Sequence, residues 1–216
     1  MSNSDGEKRG LVDQMSGHRL VPVIVMDRVE DGKPLAEALI EGGLPVAEVT
    51  MRTSAALGAM KEIGTYDEIL LGAGTVLTAE QVDMAVDSGA SYIICPGMHE
   101  EVVERCLDLG VLVIPGVITP SDIAKAMSYG LGLVKFFPAE SFGGAKTLKA
   151  MAAPYGDMRF VPTGGINAGN VMDYLTIPSV AACGGSWMVD RSLIKEGDFA
   201  EIRTRVSAAV DLVKKT

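Results

Sequence analysis

The 216 residues predict an α/β fold, a single-domain (β/α)8 TIM barrel. Short β-rich apolar runs alternate with longer helical patterns along the chain. Landmarks near those runs, Pro22, Glu48, Thr75, Pro96, Pro115, Lys135, Thr163 and Gly185, recur at intervals of 19 to 28 residues. About 23 residues per unit suits one strand, one helix and two short loops. An open doubly wound sheet is the rival, but such sheets carry a Gly-rich fingerprint after the first strand, and DRVEDGK stands there instead.

The eight runs, in order, are Val21 to Met26, Val46 to Met51, Glu68 to Gly74, Tyr92 to Gly97, Val111 to Val117, Leu133 to Ala139, Arg159 to Gly165 and Ser179 to Gly185. Between them the helix signals are specific. Thr78 with Gln81 makes a capping box, Thr119-Pro120 puts proline at a first helical position, and Asp198 with Glu201 precedes the stripe Ile202, Val206, Val210. Gly110 and Gly130 stand where helices end. No linker or low-complexity tract divides the chain after residue 16, so residues 17–216 are expected to form one domain and residues 1–16 a flexible polar arm.

Composition narrows the function classes. The apolar fraction of 48% is ample for a core and excludes disorder as a description of the whole. Acidic residues outnumber basic ones 28 to 19, and no Lys/Arg cluster opposes that excess, which argues against a nucleic-acid partner. The longest apolar run, Leu20 to Met26, is far below the roughly 20 residues that cross a bilayer, and the N-terminus lacks signal-peptide character; no membrane partner and a cytoplasmic location are expected. Cys95, Cys106 and Cys183 show no CxxC spacing and read as buried reduced thiols. With only His18 and His99, HExxH sites, three-histidine zinc sites and most histidine triads have no material, so the chemistry must use other groups; no metal and no cofactor are expected.

In a parallel barrel the reactive groups sit at the C-terminal ends of the strands, so polar residues inside strands are the ones to question. Nine of the ten lysines fall on predicted helices, loops or tails, and Lys135 alone lies in a strand. Apolar surroundings disfavour an ammonium and so favour the free amine that Schiff-base chemistry requires. A lysine snorkelling from an edge strand or pairing with a buried carboxylate is the structural alternative. Glu48, Thr50 and Arg52 share strand parity. Glu48 could move protons and Arg52 could clamp a carboxylate; the alternative is a Glu48 salt bridge to Arg52 or Lys135 that holds strands together.

Thr75 ends a strand after Gly72-Ala73-Gly74, where small residues open space and a hydroxyl with exposed amides suits a carboxylate or carbonyl oxygen. Pro96-Gly97 and Phe137-Pro138 also end strands, by default as turn chemistry. The last two strands end in Thr163-Gly164-Gly165 and Gly184-Gly185-Ser186, the places where such barrels hold phosphate on backbone N–H groups.

The segments VPVIV, EVTMRT, GAGTVL, KFFPAE, PTGGI and GGSW together resemble those of the 2-keto-3-deoxy-6-phosphogluconate (KDPG) and 4-hydroxy-2-oxoglutarate (KHG) aldolase family, from about residue 18 onward. The resemblance implies a metal-independent class I aldolase of the Entner-Doudoroff pathway and a homotrimer. Lys135 would form the Schiff base and Glu48 would be the general acid/base. Arg52 and Thr75 would bind the pyruvate carboxylate, with Pro96 beside the substrate. Phe137 and Thr163 would flank the aldehyde half, and Gly164, Gly165, Gly184, Gly185 and Ser186 would hold the phosphate. The implied ligands are a phosphorylated keto acid and pyruvate. KHG cleavage is the alternative activity, and a phosphosugar isomerase or a silent phospho-ligand-binding barrel is a further one.

Overall fold

The computed structural model of the chain describes residues 3–214, with side chains described from residue 6. In chain order the first elements are α1 (Asn3–His18), β1 (Leu20–Ile24), α2 (Gly32–Glu41), β2 (Val46–Thr50), α3 (Ala56–Ile63), β3 (Leu70–Gly74) and α4 (Ala79–Val86). The middle of the chain holds β4 (Tyr92–Ile94), α5 (Glu100–Asp108), β5 (Leu112–Ile114), β6 (Gly116–Val117), α6 (Pro120–Ser128) and β7 (Leu133–Phe136). It closes with α7 (Gly144–Ala152), β8 (Arg159–Pro162), α8 (Val171–Leu175), β9 (Cys183–Gly185), α9 (Arg191–Glu196) and α10 (Phe199–Lys214). A 3-10 turn, Glu140–Phe142, separates β7 from α7.

Every strand pairs in parallel. One sheet has six strands in the order β5-β4-β3-β2-β1-β9 and a second has three in the order β6-β7-β8. All eight apolar runs contain a strand, and the fifth contains two, β5 and β6, on either side of Pro115. A proline has no N–H to give to a ladder, which is why that run divides. Isolated bridges join Phe160 to Val180 and Thr163 to Gly184. The central strands β2, β3 and β7 are buried at every position, as expected of parallel strands covered on both faces.

The helices begin and end where their local chemistry directs. Thr119 accepts from the Asp122 N–H while the Asp122 carboxylate accepts from the Thr119 N–H, a complete capping box with Pro120 at the first position of α6. At α4 the Thr78 hydroxyl accepts from Gln81 N–H, but the return bond from the Gln81 side chain is to Leu77 N–H. Asp198 caps α10 by accepting from Glu201 N–H, and Ile202, Val206 and Val210 are buried as the stripe predicts.

The flexible arm expected over residues 1–16 is corrected over most of its length: from Asn3 onward it is helix α1, and residues 1 and 2 lie outside the described residues. The polar composition concealed a narrow apolar edge. Met15 is fully buried, and Leu11 and Val12 pack on the core. Arg159, at the start of β8, donates to the Ser16 hydroxyl at 2.8 Å and ties the helix to the sheet. Among the described residues, no helix is long and apolar enough to cross a membrane.

Candidate active site

The two polar residues that the sequence places inside strands meet. Lys135 Nζ of β7 lies 3.1 Å from Glu48 Oε1 of β2, and the side chains are 6% and 1% exposed. Of the two salt-bridge alternatives for Glu48, the partner is therefore Lys135. Two charged chains fit between strands because their neighbours are glycines. Glu48 sits opposite Gly72, Thr50 opposite Gly74 and Lys135 opposite Gly116. A Cβ on Gly74 would collide with the Glu48 carboxylate, and one on Gly116 would collide with the Pro96 carbonyl.

Removing such a pair from water costs several kcal/mol per ion, which mutual attraction and further hydrogen bonds must offset. Here the offset is incomplete. Glu48 Oε2 is buried and has no hydrogen-bond partner, while an unsatisfied buried polar atom costs roughly 1–3 kcal/mol. A carboxylate with one oxygen on an amine and the other open is in position to move a proton. The Phe137 ring covers the amine, its centroid 5.1 Å from Nζ.

The surrounding groups are held neutral. Burial first, and then the Glu48 charge, push the Tyr92 phenol well above its ordinary value. It donates to the Ala47 carbonyl at 3.0 Å, and its ring fills the space a Gly72 side chain would take. Burial pushes the Cys95 thiol up to about 12. The Thr50 hydroxyl, on the same strand face as Glu48, donates to the Ile24 carbonyl at 2.8 Å and is fully buried.

Arg52 lies two residues beyond the end of β2, so strand parity alone does not place it. What does is a 3.2 Å hydrogen bond from Nε to the Thr75 hydroxyl, the residue that follows β3. Thr75 takes a φ of 57°, a conformation uncommon outside glycine, which turns the chain at the end of β3. Arg52 is exposed and, among the described residues, forms no ion pair, so its terminal guanidinium nitrogens are available to an anion.

The glycine-rich strand ends converge. Thr163 bridges Gly184, and a Cβ on Gly184 would strike the Thr163 hydroxyl. Gly164 and Gly165 have φ of 104° and 78°, which only glycine adopts without strain. The backbone N–H groups of Gly165 and Ser186 donate to no acceptor among the described residues. Gly185 is closed off by the Trp187 ring, and Ser186 is exposed. Pro96 is half-buried after β4, with its carbonyl where a Cβ on Gly116 would fall.

The site therefore has three parts: the Lys135–Glu48 pair under Phe137, the Arg52–Thr75 corner, and the glycine-lined turns after β8 and β9. Two residues beside the third part received no role from the sequence: Glu140, which closes the KFFPAE segment, and Tyr174 in α8. Their contact spans 34 residues, and no local pattern signals it.

A family model described as KDPG and KHG aldolase matches residues 11–205. A 2-dehydro-3-deoxy-phosphogluconate aldolase of Haemophilus influenzae is 42% identical over 205 residues, covering 94% of this chain and 97% of that one. One of Treponema pallidum is 45% identical over 196 residues, covering 90% and 93%. Among solved structures, the KDPG aldolase of Legionella pneumophila, with pyruvate captured at low pH as a covalent carbinolamine intermediate, is 38% identical with a TM-score of 0.88, covering 92% of this chain and 97% of that one.

Proposed function

This chain belongs to the KDPG and KHG aldolase family, and we propose that it works as a metal-independent class I lyase whose Schiff base forms on Lys135. Its reaction is the cleavage of 2-keto-3-deoxy-6-phosphogluconate to pyruvate and glyceraldehyde 3-phosphate. The observation that carries the mechanism is the buried Lys135–Glu48 contact with one Glu48 oxygen open.

In this reading Glu48 takes a proton from the Lys135 ammonium across the 3.1 Å contact and releases the amine. The Nζ lone pair attacks C2 of the keto acid, and the C2 oxygen leaves as water after protonation through Glu48, giving the iminium. That cation is the electron sink, so no metal is needed for this step. Removal of the C4 hydroxyl proton, by Glu48 directly or through water, breaks C3–C4. The aldehyde departs and a pyruvate enamine remains, which is protonated at C3 and hydrolysed.

Arg52 and Thr75 hold the carboxylate beside C2, with the guanidinium fork matched to its two oxygens. Gly164, Gly165, Gly184, Gly185 and Ser186 offer neutral backbone donors to the phosphate at the far end, and Phe137, Thr163 and Pro96 line the space between. We further read the six- and three-stranded sheets as arcs of one (β/α)8 barrel. The bridges Phe160–Val180 and Thr163–Gly184, and the division of one run at Pro115, support that reading.

KHG, which lacks the phosphate, is the second substrate the family name carries. Pyruvate release measured with each keto acid tests the reading. The expected result is the larger kcat/KM with the phosphorylated substrate, and failure to cleave it would overturn the assignment.

A further inference from the structure

The turn that would receive the phosphate is held from outside by residues with no assigned role. The chain leaving β7 is stitched to it: Ala139 N–H donates to the Thr163 carbonyl at 2.8 Å, and Glu140 N–H to the Gly164 carbonyl at 3.1 Å. The Glu140 side chain then passes over Gly165, where an added Cβ would fall 2.7 Å from its Cβ and Cγ. Its carboxylate continues to Tyr174 of α8, whose phenol donates to Glu140 Oε1. The Tyr174 ring is fully buried, and burial followed by the hydrogen bond to Glu140 pushes its phenol upward, so it remains a donor throughout the neutral range. From the other side, Asn170 Nδ2 donates to the Gly165 carbonyl at 3.1 Å.

Gly165 combines a positive φ with an N–H that has no protein acceptor among the described residues. A glycine in that conformation is free to rotate its peptide unless its neighbours prevent it. The Glu140 stem blocks one side and the Asn170 amide fixes the carbonyl. Tyr174 anchors the far end of that stem, where a free glutamate would lose its rotamer order in solvent.

We propose that the Tyr174–Glu140 pair is a positioning device that aims the Gly165 N–H at the phosphate of the substrate, and so contributes to the preference for phosphorylated over unphosphorylated keto acids. Neither residue touches the reacting carbons. The inference rests on the phosphate role proposed above for Gly164 and Gly165.

Tyr174→Phe keeps the buried ring and removes only the hydroxyl, and Glu140→Gln keeps the stem while weakening the acceptor. KM and kcat are measured for KDPG and for KHG with both variants and the parent protein. The expected result for Tyr174→Phe is an about tenfold rise in KM for KDPG, consistent with the loss of one hydrogen bond to a charged group, with a change in KM for KHG at least fivefold smaller. Glu140→Gln should show the same split in weaker form. Equal changes with the two substrates, in either variant, would overturn the proposal, because a merely structural role moves both together. A parent protein that cleaves KHG but gains nothing from the phosphate would instead reject the phosphate role of the glycines, a separate result.

Discussion

The two ends of the strands use charge in opposite ways. At the N-terminal end, Arg19 donates to the carbonyls of Val213 and Leu175, at 2.8 and 3.3 Å, and Arg159 donates to Ser16. These cations are only half-buried, and their hydrogen bonds pin α1, α8 and α10 to the sheet. At the C-terminal end, Lys135 and Glu48 are almost wholly buried, bond mainly to each other, and leave one carboxylate oxygen open. A cavity of about 630 Å³, lined by Lys8, Arg9, Tyr129 and Arg159 among others, lies at the N-terminal end. Space is thus no guide to chemistry here. What separates the ends is the use of charge: at the base the arginines donate to backbone and hydroxyl oxygens that tie helices to the sheet, and at the mouth a buried carboxylate keeps an oxygen without a partner.

The sharpest way to break this contrast is to remove the amine. Lys135→Ala should lose at least ~10⁴-fold in cleavage, since no other group can form the iminium, while circular dichroism shows the fold retained. Glu48→Gln comes next, with kcat expected to fall by about 10² to 10⁴ from loss of proton transfer. Full activity in that variant would reject the role of Glu48. Arg52→Ala should lower kcat/KM for KDPG by about 10- to 100-fold, the range for one charge-assisted contact. Arg159→Ala, at the base, should leave kcat/KM within about twofold and lower stability by about 1 kcal/mol in urea unfolding. Should it match Arg52→Ala in activity, the distinction between the two ends fails.

The smallest effect concerns the thiols. Burial pushes Cys95 and Cys106 up to about 12, so neither should react with a disulfide reagent at pH 8 until the protein unfolds. The sign for stability follows. A thiol raised in the native state contributes fully below its unfolded value of about 8.5, and that contribution is lost as pH rises from there toward 12. Unfolding midpoints measured between pH 7 and 10 should fall accordingly.

Much of this was legible in the sequence because parallel strands buried on both faces leave a continuous apolar signature. Each of the eight runs contains a strand for that reason, and Lys135 and Glu48 stood out as the polar exceptions. Their pairing was one of two alternatives for Glu48, and the 3.1 Å contact made possible by Gly116 and Gly72 decides it. The approach of Arg52 to Thr75 was implied by the family resemblance but not by strand pattern, since side-chain alternation ends with β2 at Thr50 and the contact depends on a turn with positive φ. Helix α1 was misjudged because its burial rests on three apolar residues, Leu11, Val12 and Met15, in an otherwise polar stretch. The Tyr174–Glu140 contact was out of reach for a further reason. A tyrosine in an apolar helix reads as core, and only the fold reveals where its hydroxyl goes.

The central claim is that the reactive group at the mouth is the Lys135 amine. Incubation with pyruvate and sodium borohydride, followed by peptide mass mapping, tests it directly. One reduced pyruvate adduct is expected, on the peptide carrying Lys135, and none in Lys135→Ala. No adduct in the parent protein, or an adduct on another lysine, would contradict it.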